Sequence, residues 1–590
     1  MKRLAYSTAL WGLLALAPGA TSTPAAAAAP PSCTGLAYVL LQNSKVLSAT
    51  SAVTPAAGAN LAYCQVNLTY TPAINIRVGL PLNAADGGSG GVQGAWNGKV
   101  ENLGGGGYAG SVGGVTGATN AGYVGSSTDT GHSSAWCNAI NPATGQPNSQ
   151  PNCGLAGGGF VLDPNNNLLP DQVADFIDLS LEQQVEFALS LAKDYYGKAA
   201  QRNYWNGCST GGRQGMEMAQ KHGELFDGIL AGAPAMNWNR FIIAELWPPV
   251  VVADVIGSGG LSVAKYNAAN AAAVAACDAN DGIADGVINE PRRCPFDAKA
   301  LQCTGSPSDP ATCLTPQEAK AINLIWDGPR NQEGERLWGG LTRGTSFGVL
   351  LTGSPNASGI QGLIQTYVAN WLYQNPNYPS LTNITMANFA ESFQLSDRKF
   401  AESPTTDDFV VSAATDSTDL HELRKHGGKL LHYHGLSDPL IVPFGSLNYV
   451  SHVFDRYGVA GTQKFFRSFF YPGNGHCGGN AGFPNAGLVN GTDLFAALVN
   501  WVENGVEPDY IVAYNNASHA AATVTRKICK YPDEAVYNGS GATGDANSYH
   551  CVVHHTEPAD LEASIDTARR YFEAEDSDHR GHDHDDQDRD

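Results

Sequence analysis

Apolar and polar residues alternate in Gln65-Val66-Asn67-Leu68-Thr69-Tyr70, the two-residue period of a strand with one buried face. The segments Leu36 to Leu47 and Ala62 to Leu80 are accordingly predicted to be rich in strand. Residues 86 to 132 are rich in glycine and contain Gly104-Gly105-Gly106-Gly107, either a flexible loop or backbone that must approach something closely. From Leu179 to Tyr196, the spacing of Leu181, Val185, Phe187, Leu189, Leu191 and Ala192 predicts an amphipathic helix. A short strand follows around Asn203-Tyr204-Trp205, then a sharp turn at 207–212, a helix from Gln214 to His222 and a buried strand over 228–234. Helix, strand, turn, helix, strand is the order of a parallel α/β sheet. The rhythm breaks between about Ala235 and Thr418, where an alanine-rich helix (Val263 to Ala276), an acidic loop and four close cysteines read as an inserted domain. It resumes with strands at Lys429 to Gly435 and Lys464 to Tyr471. No internal repeat is visible.

Composition adds the boundaries. Of 590 residues, 43% are hydrophobic and 9% aromatic, as in an ordinary globular protein. Met1-Lys2-Arg3, an apolar run to about Ala17 and an Ala/Pro tract read as a secretory signal, cleaved between Ala20 and Ala29. No later segment approaches about 20 uninterrupted apolar residues, so no membrane span is expected. A net charge of -21 argues against a nucleic-acid partner, because a phosphate backbone is held by clustered Lys and Arg. Part of that acidity lies in residues 573–590, a tail with three histidines that reads as solvated and disordered. The expected domains are a signal and Ala/Pro tract (1–29), a catalytic domain in two parts (30–234 and 419–572), an inserted domain (235–418) and the tail (573–590). Twelve cysteines, none in C-x-x-C spacing, point to structural disulfides in an oxidising compartment, extracellular or periplasmic.

Candidate chemistry begins at Gly207-x-Ser209-x-Gly211, which has the form of a nucleophile elbow between a strand and a helix. A serine hydroxyl needs a base, and the base needs an acid to fix its tautomer, so an Asp or Glu and then a His are expected downstream. Asp438 follows the strand at Lys429 to Gly435, and His476 lies in a glycine loop after the next one. Cys208 precedes the serine and Cys477 follows the histidine; a bridge between them would hold their Cα atoms within about 7 Å. The backbone N–H of Thr210 is one oxyanion donor on mechanical grounds, and one of Gly104 to Gly107, with Gly106 favoured, is the candidate for the other. Farther on, Asp278, Asp281 and Asp285 place three carboxylates within eight residues, and a solvated acidic loop and a calcium site remain open as readings.

The segments Gly207-Cys208-Ser209-Thr210-Gly211-Gly212-Arg213-Gln214, Tyr433-His434-Gly435-Leu436-Ser437-Asp438-Pro439-Leu440-Ile441 and Gly475-His476-Cys477 resemble the tannase and feruloyl esterase family, over roughly residues 33 to 555. The resemblance implies an α/β-hydrolase fold with a large inserted lid domain, a Ser209–Asp438–His476 triad and a Cys208–Cys477 bridge. It implies a structural Ca²⁺ held by the side chains of Asp278, Asp281 and Asp285 and the carbonyls of Ile283 and Val287. By the same analogy Cys277 pairs with Cys294, Cys303 with Cys313, Cys529 with Cys551 and Cys33 with Cys64, leaving Cys137 with Cys153. The implied substrates are esters of aromatic acids such as ferulate or gallate, attached to plant polysaccharide or tannin, or a mono(2-hydroxyethyl) terephthalate-type monoester. His434 and the lid aromatics Trp338, Phe347, Tyr367, Trp371 and Phe393 are candidates to contact the substrate, with ordinary core positions as the alternative. A calcium-dependent binding protein on a hydrolase scaffold is the reading from a different class.

Overall fold

The computed structural model describes residues 30–90, 94–305, 311–346, 348–351, 360–401, 412–478, 488 and 490–553. The apolar start, the acidic tail and Phe347 lie outside the described residues. In chain order the main sheet is built from β1 (Val46–Thr54), β2 (Tyr63–Tyr70), β3 (Ile74–Pro81), β4 (Lys99–Leu103), β5 (Val124–Thr128), β6 (Arg202–Cys208), β7 (Gly228–Gly232), β8 (Lys429–Gly435) and β9 (Phe466–Tyr471). Their spatial order is β1-β2-β3-β5-β4-β6-β7-β8-β9. The first three pairings are antiparallel, and from β5 onward the strands run parallel.

Parallel strands are covered on both faces, and the residues alternate accordingly. Tyr204, Leu230, Leu431 and Phe469 join a core with Leu498 and Trp501 of a late helix (Gly491–Asn504), while their neighbours Trp205, Ile229, Leu430 and Phe470 pack on the opposite core. The predicted helix is found as α1 (Ser180–Tyr196), whose Leu191 and Tyr195 pack beneath β2 and β3. The helix α2 (Thr210–Lys221) starts four residues earlier than predicted, through Gly211 and Gly212. These glycines are poor helix formers, but tertiary contact overrides propensity, since a Cβ on Gly212 would stand 2.2 Å from the Gly232 carbonyl oxygen.

Two expectations need correction. The Leu36 to Leu47 segment is not mostly strand: 36–40 form a helical turn, with Leu36 and Leu40 buried one turn apart and Tyr38 exposed. The glycine-rich stretch is not only loop, because it holds β4 and β5. Their central positions are polar yet buried, with Ser126 Oγ donating to Asn102 Oδ1 at 2.7 Å and accepting from Gln184 Nε2 at 3.0 Å, so hydropathy did not reveal them.

Between β7 and β8 the chain adds no strand to the main sheet among the described residues. It forms helices including α3 (Trp238–Ala244), α4 (Trp247–Val255) and α5 (Val263–Cys277). After β9 come two hairpins, β10 (Tyr510–Tyr514) with β11 (Thr525–Cys529) and β12 (Asp533–Tyr537) with β13 (Tyr549–Val553). No helix among the described residues is long and apolar enough to cross a membrane. All twelve cysteines are in disulfides, in the pairings that the family resemblance implies: 33–64, 137–153, 208–477, 277–294, 303–313 and 529–551.

Candidate active site

Ser209 sits between β6 and α2 with φ 64° and ψ -127°, a conformation that an L-residue keeps only when its surroundings impose it. The surroundings are backbone packed on backbone. A Cβ at Gly207 would lie 2.3 Å from the Gly211 oxygen, and one at Gly104 would lie 2.5 Å from the Gly211 Cα. Ser209 N donates to the Gly232 carbonyl at 2.9 Å, fixing the turn to the end of β7. The Cys208–Cys477 bond, with Cα atoms 5.9 Å apart, ties this turn to the loop that carries His476.

His476 Nδ1 and Asp438 Oδ2 are 2.8 Å apart. Asp438 is fully buried, and its other oxygen accepts the backbone N–H groups of Leu440 at 2.8 Å and Ile441 at 3.1 Å. Burial pushes its carboxyl up, but the neighbouring His476 and the hydrogen bonds from His434 and His476 outweigh this and hold it well below the usual range. Burial in turn pushes the His476 ring down, and the Asp438 charge reverses that, leaving it above its ordinary value.

His434 corrects an expectation. It is fully buried, with Nδ1 2.8 Å from Ser446 Oγ and Nε2 2.9 Å from the Ile441 carbonyl and 3.3 Å from Asp438 Oδ2. Both ring nitrogens are engaged behind the carboxylate, so the side chain is Asp438's partner and not a group facing substrate. Ser446 also lies 3.2 Å from His432 Nε2, whose Nδ1 is 2.6 Å from Ser468 Oγ. Sequence reasoning missed this buried series; the His-x-His spacing on β8, which sends both rings to one face, was the available signal.

At the glycine run, Gly104 N donates to the Asn206 carbonyl at 3.0 Å and Gly105 N to Gln214 Oε1 at 2.9 Å. The N–H groups of Gly106 and Gly107 have no acceptor among the described residues, and a Cβ at Gly106 would meet only Leu155 Cδ1, at 3.7 Å. Thr210 is buried at the start of α2, and its hydroxyl donates to the Gly107 carbonyl at 2.7 Å, holding the run against the elbow. An open cavity of about 500 Å³ adjoins Gly104, Gly106, Leu155, Asn206 and Cys208. The aromatics Trp338, Tyr367, Trp371 and Phe393 are buried core: Trp371, for example, packs on Tyr108, Phe160 and Phe176, and Tyr367 meets Ser396 at 2.6 Å.

In the acidic loop, positive φ at Gly282 (89°) and Gly286 (84°) bends the backbone round Asp278. The Asp278 carboxylate accepts the N–H groups of Asp285, Gly286 and Val287 at 3.0, 2.9 and 3.2 Å. Asp281 accepts from Ile283 N and Asn289 Nδ2, and Asp285 pairs with Arg526. The donors are hard oxygens of the kind calcium takes. In this arrangement, among the described residues, no three acidic, His or Cys side chains gather round one point.

A mostly parallel sheet covered on both faces, with a serine on a strained strand-to-helix turn, is the architecture of an α/β-hydrolase. The family model "Tannase and feruloyl esterase" matches residues 92–552. A probable feruloyl esterase from Arthroderma benhamiae is 31% identical over 83% of this chain and 85% of its own. The mono(2-hydroxyethyl) terephthalate hydrolase of Piscinibacter sakaiensis is 30% identical over 78% of this chain and 80% of its own. The crystal structure of feruloyl esterase B from Aspergillus oryzae superposes with a TM-score of 0.68 at 25% identity, covering 88% of this chain and 99% of that one. The chain belongs to the tannase and feruloyl esterase family and is a carboxylic-ester hydrolase.

Proposed function

We propose that the protein is a secreted serine esterase that cleaves esters of aromatic, phenolic acids such as ferulate or gallate. The observation that carries this reading is the buried Asp438 paired with His476 and disulfide-tied to the turn of Ser209. His476 Nε2 takes the Ser209 proton as Oγ attacks the ester carbonyl, and Asp438 holds the imidazolium that forms. The N–H groups of Thr210 and Gly106 hold the oxyanion. His476 then protonates the departing alcohol, and water, deprotonated by the same ring, releases the acid and restores Ser209. Residues 235–418 act as the lid that shapes the acyl pocket. Support for export comes from six disulfides with no free cysteine and from the charged-then-apolar start of the chain. Calcium held by Asp278, Asp281, Asp285 and the carbonyls of Ile283 and Val287 serves structure alone.

Hydrolysis of a terephthalate monoester is the second reading, favoured by the Piscinibacter sakaiensis relative. Purified wild type and Ser209→Ala are assayed on methyl ferulate, methyl gallate, mono(2-hydroxyethyl) terephthalate and p-nitrophenyl acetate. We expect kcat/KM on one aromatic ester to exceed the others and to fall about 10⁴-fold or more in the variant. Equal rates in the two proteins would refute the serine mechanism.

A further inference from the structure

His432 and His434 are two residues apart on β8 and so face the same side of the sheet, where Ser446 of the next helix (Phe444–Tyr457) lies between their rings. Ser468 stands across from His432 on the parallel strand β9. All four side chains are buried, and the His434 end of the series reaches Asp438.

Their hydrogen bonds run one way. His434 Nε2 has acceptors beside it, the Ile441 carbonyl at 2.9 Å and Asp438 Oδ2 at 3.3 Å, so Nε2 carries a proton. With the ring neutral, Nδ1 accepts from the Ser446 hydroxyl at 2.8 Å. A hydroxyl has one proton to give, so Ser446 Oγ accepts in turn from His432 Nε2 at 3.2 Å. Burial holds the His432 ring well below its ordinary value and therefore neutral, and its Nδ1 accepts from the Ser468 hydroxyl at 2.6 Å. Ser468, His432, Ser446 and His434 thus donate in series toward Asp438, and hydrogen bonds aligned in this way polarise one another in a low-dielectric interior.

We propose that these four side chains are positioning residues, a polarised donor chain that shares the Asp438 carboxylate with His476 and so sets how strongly Asp438 holds that ring. Asp438 Oδ2 faces both rings, His476 Nδ1 at 2.8 Å and His434 Nε2 at 3.3 Å, and what one donor neutralises is lost to the other. Glu245, just after α3, is also near Asp438, but burial and the Asp438 charge push its carboxyl well above the ordinary range, so it adds no opposing charge. The proposal rests on the serine-esterase reading and deepens it.

Ser446→Ala breaks the chain without touching Asp438. With His434 donating less, Asp438 keeps more charge for His476, so we expect the rising limb of the kcat/KM profile to move to higher pH and kcat to fall about fivefold. The substitution leaves two buried ring nitrogens unpaired and lowers the melting temperature whatever their role, so the limb is the readout, and an unmoved limb overturns the proposal. A second measurement needs no variant: nitrogen NMR spectra of isotope-labelled histidines in the wild type should show His432 and His434 neutral, with the proton on Nε2. A proton on Nδ1 of either ring overturns the chain. Equal rates in wild type and Ser209→Ala would instead refute the esterase reading and leave these tautomers as they are.

Discussion

The charge on Asp438 is sustained by its neighbours, and that has a kinetic signature. In the proposed mechanism His476 works as a base only when neutral, and Asp438 holds its pKa above the ordinary value of 6.5. Activity should therefore rise with pH through a limb centred above that value. Asp438→Asn removes the charge that raises the ring, so the limb should move toward acid while kcat falls about 10⁴-fold. A pH profile of kcat/KM for both proteins checks the shift; an unmoved limb would mean that another group sets it. The turn of Ser209 and the contact of Asp438 with His476 were legible from order and setting, because a nucleophile requires its partners. The role of His434 was not, since nothing in His434-Gly435-Leu436-Ser437-Asp438 says whether the ring faces the cavity or Ser446.

At the level of elements, the elbow depends on three segments touching without side chains. Gly207→Ala puts a methyl against the Gly211 oxygen, and overpacking of this kind costs about 1–3 kcal/mol. We expect a lower melting temperature and a larger fractional loss of kcat than of substrate affinity, since the turn that aims Ser209 must shift. Thermal melts and steady-state kinetics together distinguish this from plain unfolding. The glycines of the elbow could be read from the sequence because the motif states its own geometry. Strands β4 and β5 could not be read so easily. A buried Ser126 and Asn102 look like loop residues until β6 and α1 supply their partners.

The whole molecule carries a linkage to protons. Burial raises Asp129 and Asp175 to about 7 from a reference value of 3.8. The folded chain thus binds these protons more tightly than the unfolded one, and that stability is fully present below about pH 4 and lost as pH rises through 7. Asp175→Asn, which cannot ionise, should lose less melting temperature between pH 4 and 8 than wild type; parallel curves would contradict the assignment. The proposed calcium site would add a second. If Asp278, Asp281 and Asp285 hold the ion in the folded state alone, saturation at 100 times Kd adds about 2.7 kcal/mol. EDTA should then lower the melting temperature of wild type by several degrees and leave Asp281→Asn unchanged, as followed by calorimetry.

The sequence by itself determined the parallel α/β order, the turn of Ser209 and the order of Asp438 and His476 behind it, because local periodicity and the demands of acyl transfer are written in short segments. Only the tertiary structure decided which groups face which. It put His434 behind Asp438, made Trp371 and Tyr367 core, turned a glycine-rich stretch into two sheet strands and set Ser446 between His432 and His434. These outcomes depend on contacts between residues distant in sequence, whose burial and partners no local pattern specifies.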